Sequence, residues 1–91
     1  MNRFDVFVAR FKALPRGGSD GYFQNRKYSI TTKYGHNDRS AWLYAKELGG
    51  NNHISFNLYF LKYDKVHLKP CEMPASKVMD FVIGLESENA G

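Results

Sequence analysis

A chain of 91 residues, 43% apolar and 15% aromatic, can fill one hydrophobic core without disulfides or metal but is too small for two. Its single cysteine excludes an internal disulfide, and its longest apolar runs, residues 54–61 and 81–85, fall far short of the ~20 residues that a membrane helix needs. The net charge of +4 is uneven, with eight cations and three anions in residues 1–39 against five cations and six anions in residues 40–91, so the N-terminal half can attract nucleic acid, an acidic protein or an anionic surface.

In chain order, Asn2 is an N-cap candidate, and Phe4, Phe7, Val8, Phe11 and Leu14 recur at helical spacing. The pattern predicts an amphipathic helix over residues 2–14, ended by Pro15-Arg16-Gly17-Gly18. Residues 16–21 read as a flexible loop by composition. Tyr28, Ile30, Thr32 and Tyr34 alternate with Lys27, Ser29, Thr31 and Lys33, the pattern of a half-buried strand. Gly35-His36-Asn37-Asp38 is turn chemistry. Residues 40–48 carry mixed signals: Trp42, Leu43 and Tyr44 favour a strand, whereas Ala45-Lys46-Glu47-Leu48 before Gly49 suits a helix end. The hairpin loop Gly49-Gly50-Asn51-Asn52 and the alternation of Ile54, Phe56, Leu58 and Phe60 that follow favour the strand. Tyr63-Asp64-Lys65 makes a turn, residues 66–69 a short strand stopped by Pro70, and Pro74 opens a second amphipathic helix with Val78, Phe81, Val82 and Leu85 on its apolar face. Residues 87–91 form a polar tail. The order predicts one α+β domain spanning residues 1–91: an antiparallel three- to four-stranded meander with an N-terminal and a C-terminal helix packed on one face.

No reaction is legible. His67 lies four residues before Cys71, but Pro70 between them breaks a helical face and no nucleophile turn surrounds the thiol, so Cys71 reads as a structural cysteine. His36, His53 and His67 fall at turns and strand ends without zinc-ligand spacing. Asp38, Glu47, Asp64, Glu72 and Asp80 read as solvated charge beside turns and helix starts. Gly17-Gly18-Ser19-Asp20-Gly21 lacks the lysine and hydroxyl of a phosphate loop. No catalytic residue, metal ligand or cofactor is nominated.

The candidate binding surface is the sheet face turned away from the helices: Lys27, Ser29, Thr31 and Lys33 beside His53, Ser55, Asn57 and Tyr59, with Trp42 or Tyr44 between them. Cations interleaved with aromatics on a sheet suit base stacking and phosphate contact. The same face can be a protein interface, with Tyr59, Leu61 and either Trp42 or Leu43 forming an apolar patch that a second copy would cover.

Residues 43–50 and 54–59, followed by Leu68-Lys69-Pro70-Cys71-Glu72-Met73-Pro74 and Lys77-Val78, resemble small uncharacterised bacterial proteins of the kind carried on mobile, integron-type gene cassettes. The resemblance covers about half of the chain and implies a bacterial, cytoplasmic setting with no activity or ligand attached. Taken together, the sequence leads to a non-catalytic binding module in the cytoplasm, self-associating as a dimer or meeting a protein partner through its open sheet face. The alternative is a nucleic-acid-binding protein using the basic N-terminal half and that same face, and a third reading is a ligand pocket or small active site between sheet and helices.

Overall fold

Asn2 caps the first helix as its side chain predicts: its Oδ1 accepts a 2.8 Å hydrogen bond from the Asp5 backbone N–H, opening α1 (Arg3–Ala13) in the computed structural model, which describes residues 2–87. Leu14 closes the helix in extended geometry, as expected of a residue before proline. The chain then forms β1 (Gly17–Phe23), β2 (Arg26–Tyr34), β3 (Ser40–Glu47), β4 (His53–Phe60) and β5 (Val66–Pro70), crosses α2 (Ala75–Gly84), and ends in the two-residue β6 (Glu86–Ser87). Every pairing is antiparallel and the sheet order is β5-β4-β3-β2-β1-β6. The fold is the α+β meander with two helices that the sequence predicts, with a longer sheet than three or four strands.

Beyond the expected strands the sheet gains β6 and β1 (residues 17–23), and residues 17–21 of β1 fall in the segment 16–21 expected to be a flexible loop. Three glycines and an aspartate hide the strand character of β1, but it pairs with β2 along its whole length. Gly21 is small for a packing reason: a Cβ there would press to 3.0 Å from the Glu86 carbonyl, 3.1 Å from Leu85 and 3.2 Å from Ile30, where β6 closes over the edge of β1. The β1–β2 connection is the two-residue turn Gln24-Asn25, both left-handed, the geometry that joins twisted antiparallel strands. Residues 40–48 resolve as the strand β3, and of the polar tail predicted at 87–91, residues 88–91 lie outside the described residues.

Both helices cover one face. Phe7 and Phe11 of α1 meet Phe56 of β4, and Phe81 of α2 meets Tyr28 of β2, with ring centroids 5.0–5.7 Å apart. Ile30, Leu43, Ile54, Phe56, Leu58, Val78 and Phe81 are each at most 1% exposed. Full burial of side chains of this size stabilises by roughly 1.5–3 kcal/mol each, so this layer is the chief opponent of chain entropy.

One end of the core is closed by polar groups. Glu47, on the helix side of β3, is 6% exposed and accepts hydrogen bonds from Arg26 Nη1 at 2.9 Å and the Asn52 N–H at 3.3 Å; the Asn52 amide donates to the Tyr28 hydroxyl at 2.8 Å. A Cβ on Gly50 would collide with the Glu47 carboxylate, which cannot swing aside without breaking both bonds. Glu47→Ala is therefore expected to lower stability by about 1–3 kcal/mol. Gly50→Ala should destabilise the wild type more than it destabilises the Glu47→Ala background, a coupling measurable by urea denaturation of the four proteins. Equal costs in both backgrounds would contradict the collision.

Candidate functional site

The sheet face opposite the helices has no element over it among the described residues. Register places its side chains in rows that cross the strands. Ser29 of β2 stands opposite Lys46 of β3, which stands opposite His53 of β4; Thr31 stands opposite Tyr44, and Tyr44 opposite Ser55. The next row runs Lys33, Trp42, Asn57 and Lys69, and the last Ser40, Tyr59 and His67. All ten residues nominated from the sequence, Lys27, Ser29, Thr31, Lys33, Trp42, Tyr44, His53, Ser55, Asn57 and Tyr59, thus share one surface, and Trp42 and Tyr44 are both on it.

Lys46, Lys69, His67, Tyr22 and Asp20 belong to the same surface and were not singled out. Lys46 shares the parity of Trp42 and Tyr44, a signal muted by the helical flavour of residues 45–48. Lys69 and His67 depend on the β4–β5 register, which the left-handed Tyr63 and Asp64 set in the intervening turn. Of the apolar patch expected on this face, Trp42 and Tyr59 are present and the leucines are not. Leu43 points into the core with no exposure, and Leu61, 55% exposed, lies beyond the end of β4. Aliphatic side chains are absent from the rows above, which are aromatic, hydroxyl, amide and cationic.

The aromatic groups are ordered. The Trp42 and Tyr44 rings are nearly parallel, with centroids 6.1 Å apart and planes inclined by 11°, and Tyr44 continues to the His53 imidazole at 6.3 Å. Tyr59 lies 6.2 Å from His67. Lys33 Nζ sits 5.9 Å from the Trp42 ring centroid. At the β1 margin Lys27 is 3.9 Å from Asp20. Four lysines, Lys27, Lys33, Lys46 and Lys69, stand against two carboxylates, Asp20 and Glu86, so the face is basic. Two of those lysines come from the C-terminal half of the chain, while Arg3, Arg10 and Lys12 lie on α1, away from this surface.

A depression of about 350 Å³ opens on this face, lined by Lys33, Ser40, Trp42, Asn57 and Tyr59 together with residues 34, 35 and 41. The Asn57 amide at its floor donates to Cys71 Sγ at 3.8 Å, and the Cys71 N–H donates to the Ser55 carbonyl at 3.0 Å. Cys71 is thus half-buried, and its N–H adds one bond beyond the end of the β4–β5 pairing. No three of His, Cys, Asp and Glu converge as metal ligands among the described residues, and none of the described helices is long and apolar enough to cross a membrane.

Beside the depression, Arg16 lies flat on Tyr34 with its guanidinium 3.8 Å from the ring centroid and grips Asp38 through two hydrogen bonds, at 3.0 and 3.2 Å. These bonds hold the Asp38 carboxylate below its ordinary range and push the Arg16 guanidinium higher. Burial raises the Tyr34 phenol, with Arg16 pulling it the other way. The clamp ties the α1–β1 connection to the β2–β3 turn, a link reinforced where the buried Thr32 hydroxyl donates to the Pro15 carbonyl at 2.7 Å.

Compared with known proteins, the chain matches no family model, no curated protein and no solved structure.

A carboxylate whose folded pKa is depressed stabilises the fold above its unfolded value, and that contribution fades as pH falls through the folded value. The stability difference between wild type and Asp38→Asn is therefore expected to be constant near neutrality, to start closing near about pH 4, and to vanish at lower pH. Urea midpoints measured across that range check it, and a difference that widens on acidification would contradict the clamp.

Proposed function

We propose that this protein is a binding module that takes single-stranded nucleic acid on its open sheet face. The observation that carries the reading is the row Lys33, Trp42, Asn57 and Lys69, which sets an aromatic ring and an amide between two cations across three adjacent pairings. Unpaired bases present π-faces to rings held on a rigid sheet, and lysines at the margins meet the phosphates. Exposed rings suit unstacked bases better than a duplex, whose bases are already stacked on one another. A basic surface also opposes self-association face to face, because two copies would bring their lysines together. The mobile-cassette resemblance and the cytoplasmic setting it implies are compatible with this role and are part of the proposal.

Fluorescence anisotropy with a labelled mixed-sequence oligonucleotide is the direct test. Affinity should fall linearly with salt on logarithmic axes, and Lys33→Ala and Lys69→Ala should each lower the slope by about 0.7, the value for one phosphate of a single strand. Trp42→Ala or Tyr44→Ala should weaken binding by about 1–3 kcal/mol with little change in slope. Absence of binding at low salt would refute the reading, as would binding that none of these substitutions alters.

Self-association keeps a separate surface as a second reading. A groove of about 690 Å³ runs between α1 and the β4–β5 connection, its apolar wall made by Phe4, Val8, Phe60 and Val66. Leu61 lines it, and beyond Leu61 Tyr63 is 90% exposed with a left-handed φ of 63°, an arrangement that costs a bulky residue on the order of 1–3 kcal/mol. A second copy related by a twofold axis would cover these side chains with their counterparts. Light scattering should then show a dimer that Leu61→Asp and Tyr63→Asp dissociate; a strict monomer at high concentration would dismiss it.

A further inference from the structure

Trp42 and Tyr59 are diagonal neighbours on adjacent strands, since Trp42 stands opposite Asn57 and Tyr59 follows Asn57 by two residues. Diagonal positions on one face of an antiparallel pair lie roughly 7–8 Å apart, about two successive van der Waals contacts between carbon atoms. At that backbone spacing two long aromatic side chains can reach the same ligand ring. Both rings line the 350 Å³ depression, whose volume is at the small end of ligand sites.

Its floor is chemically specific. One N–H of the Asn57 amide is directed at Cys71 Sγ, which orients the side chain, and the amide carries a carbonyl acceptor and a second N–H donor besides. Adenine alone among the common bases offers the matching donor–acceptor pair on both of its accessible edges, N6–H with N7 and N6–H with N1. Guanine presents two acceptors on the first of these edges, and each pyrimidine has a single edge to offer. The fused rings of a purine also cover more of Trp42 than a pyrimidine does.

We propose that the depression between Trp42 and Tyr59 is a pocket for one unstacked adenine of a bound single strand, held between the two rings and read by the Asn57 amide. The proposal rests on the open face being a single-strand surface. Lys33 at the mouth of the pocket and Lys69 across Asn57 then take the phosphates that flank the adenine.

Trp42 is the only tryptophan, so its fluorescence reports on the pocket directly. The experiment compares a nine-nucleotide uridine strand with the same strand carrying one central adenine or one central guanine, reading anisotropy and Trp42 emission together. The adenine strand is expected to bind about tenfold tighter than the all-uridine strand and to quench Trp42 more strongly. Asn57→Asp, which keeps the shape but loses the N–H donors, should bring the adenine-to-uridine affinity ratio close to one, and Asn57→Ala should do the same if the aspartate variant folds poorly. Adenosine monophosphate at the concentration of strand that saturates the protein should not displace it; displacement would overturn the assignment to a strand-borne base. Equal affinity for all three strands with binding intact overturns the pocket and leaves the surface standing, and no binding by any strand overturns both.

Discussion

The pairing register of β2, β3 and β4 is the constraint on which everything else depends. A strand's side chains alternate between faces, so a slip of one residue in these two pairings would exchange Ile30, Leu43 or Phe56 with Thr31, Tyr44 or Ser55. Apolar groups would be stranded in water and hydroxyls buried beneath the helices. Because Phe7, Phe11 and Phe81 pack on one side only, the core chooses the register, and the register in turn composes the opposite surface. The row of Lys33, Trp42, Asn57 and Lys69 is in this sense a by-product of hydrophobic burial on the far side of the sheet.

The core itself is organised by aromatic contacts that cross from helix to sheet. Phe4, Phe7, Phe56, Phe11, Tyr34 and Phe60 touch in series, with centroids 5.6–6.4 Å apart, while Phe23, Tyr28 and Phe81 form a second group under α2. Most of the rings in the chain are consumed in this way. Those that remain on the open face, Tyr22, Trp42, Tyr44 and Tyr59, are Tyr and Trp, whose polar handles tolerate water where Phe would not. Composition is thus divided by chemistry: all seven phenylalanines lie in the two contact series, and the tyrosines are split between core and surface. The division lets a chain of 91 residues keep a full core and still present rings to solvent.

The parts of this fold that were legible in the sequence are those where one periodicity dominates. Phe4 to Leu14 and Val78 to Leu85 repeat at helical spacing, and residues 28–34 and 54–60 alternate cleanly, so four elements and the ten-residue surface followed from pattern alone. The failures have local causes. Residues 17–23 lack β-branched and apolar side chains because Gly21 must admit β6 and the strand lies toward the sheet margin, where little of it is buried. The Gln24-Asn25 turn escaped notice because glutamine is not a usual left-handed residue. Lys46 and Glu47 mimicked a helix end, yet Glu47 is buried by its bonds to Arg26 and Asn52, a reason that exists only once residues 26 and 52 are brought beside it. Pairwise register between β4 and β5, and with it the place of Lys69, has no single-sequence signature.

Under the proposed binding role, the same physics gives an open sheet face an advantage over a mobile loop. Side chains projecting from a hydrogen-bonded sheet are spaced by the backbone, and their positions change little unless the ladder breaks, so little ordering entropy is lost when a ligand lies across them. Asn57 adds a second restraint: it stands on the central row, is half-buried, and is turned by its contact with Cys71, whose own N–H is tied to Ser55. An amide fixed in this way presents its donor and acceptor in one orientation, whereas a solvent-exposed asparagine on a loop would have to lose rotamer freedom on contact. The rings beside it are supported likewise, Trp42 by Tyr44 and Tyr59 by His67. The proposed recognition therefore depends on the ladder being held from behind by Phe56 and the two helices that cover it.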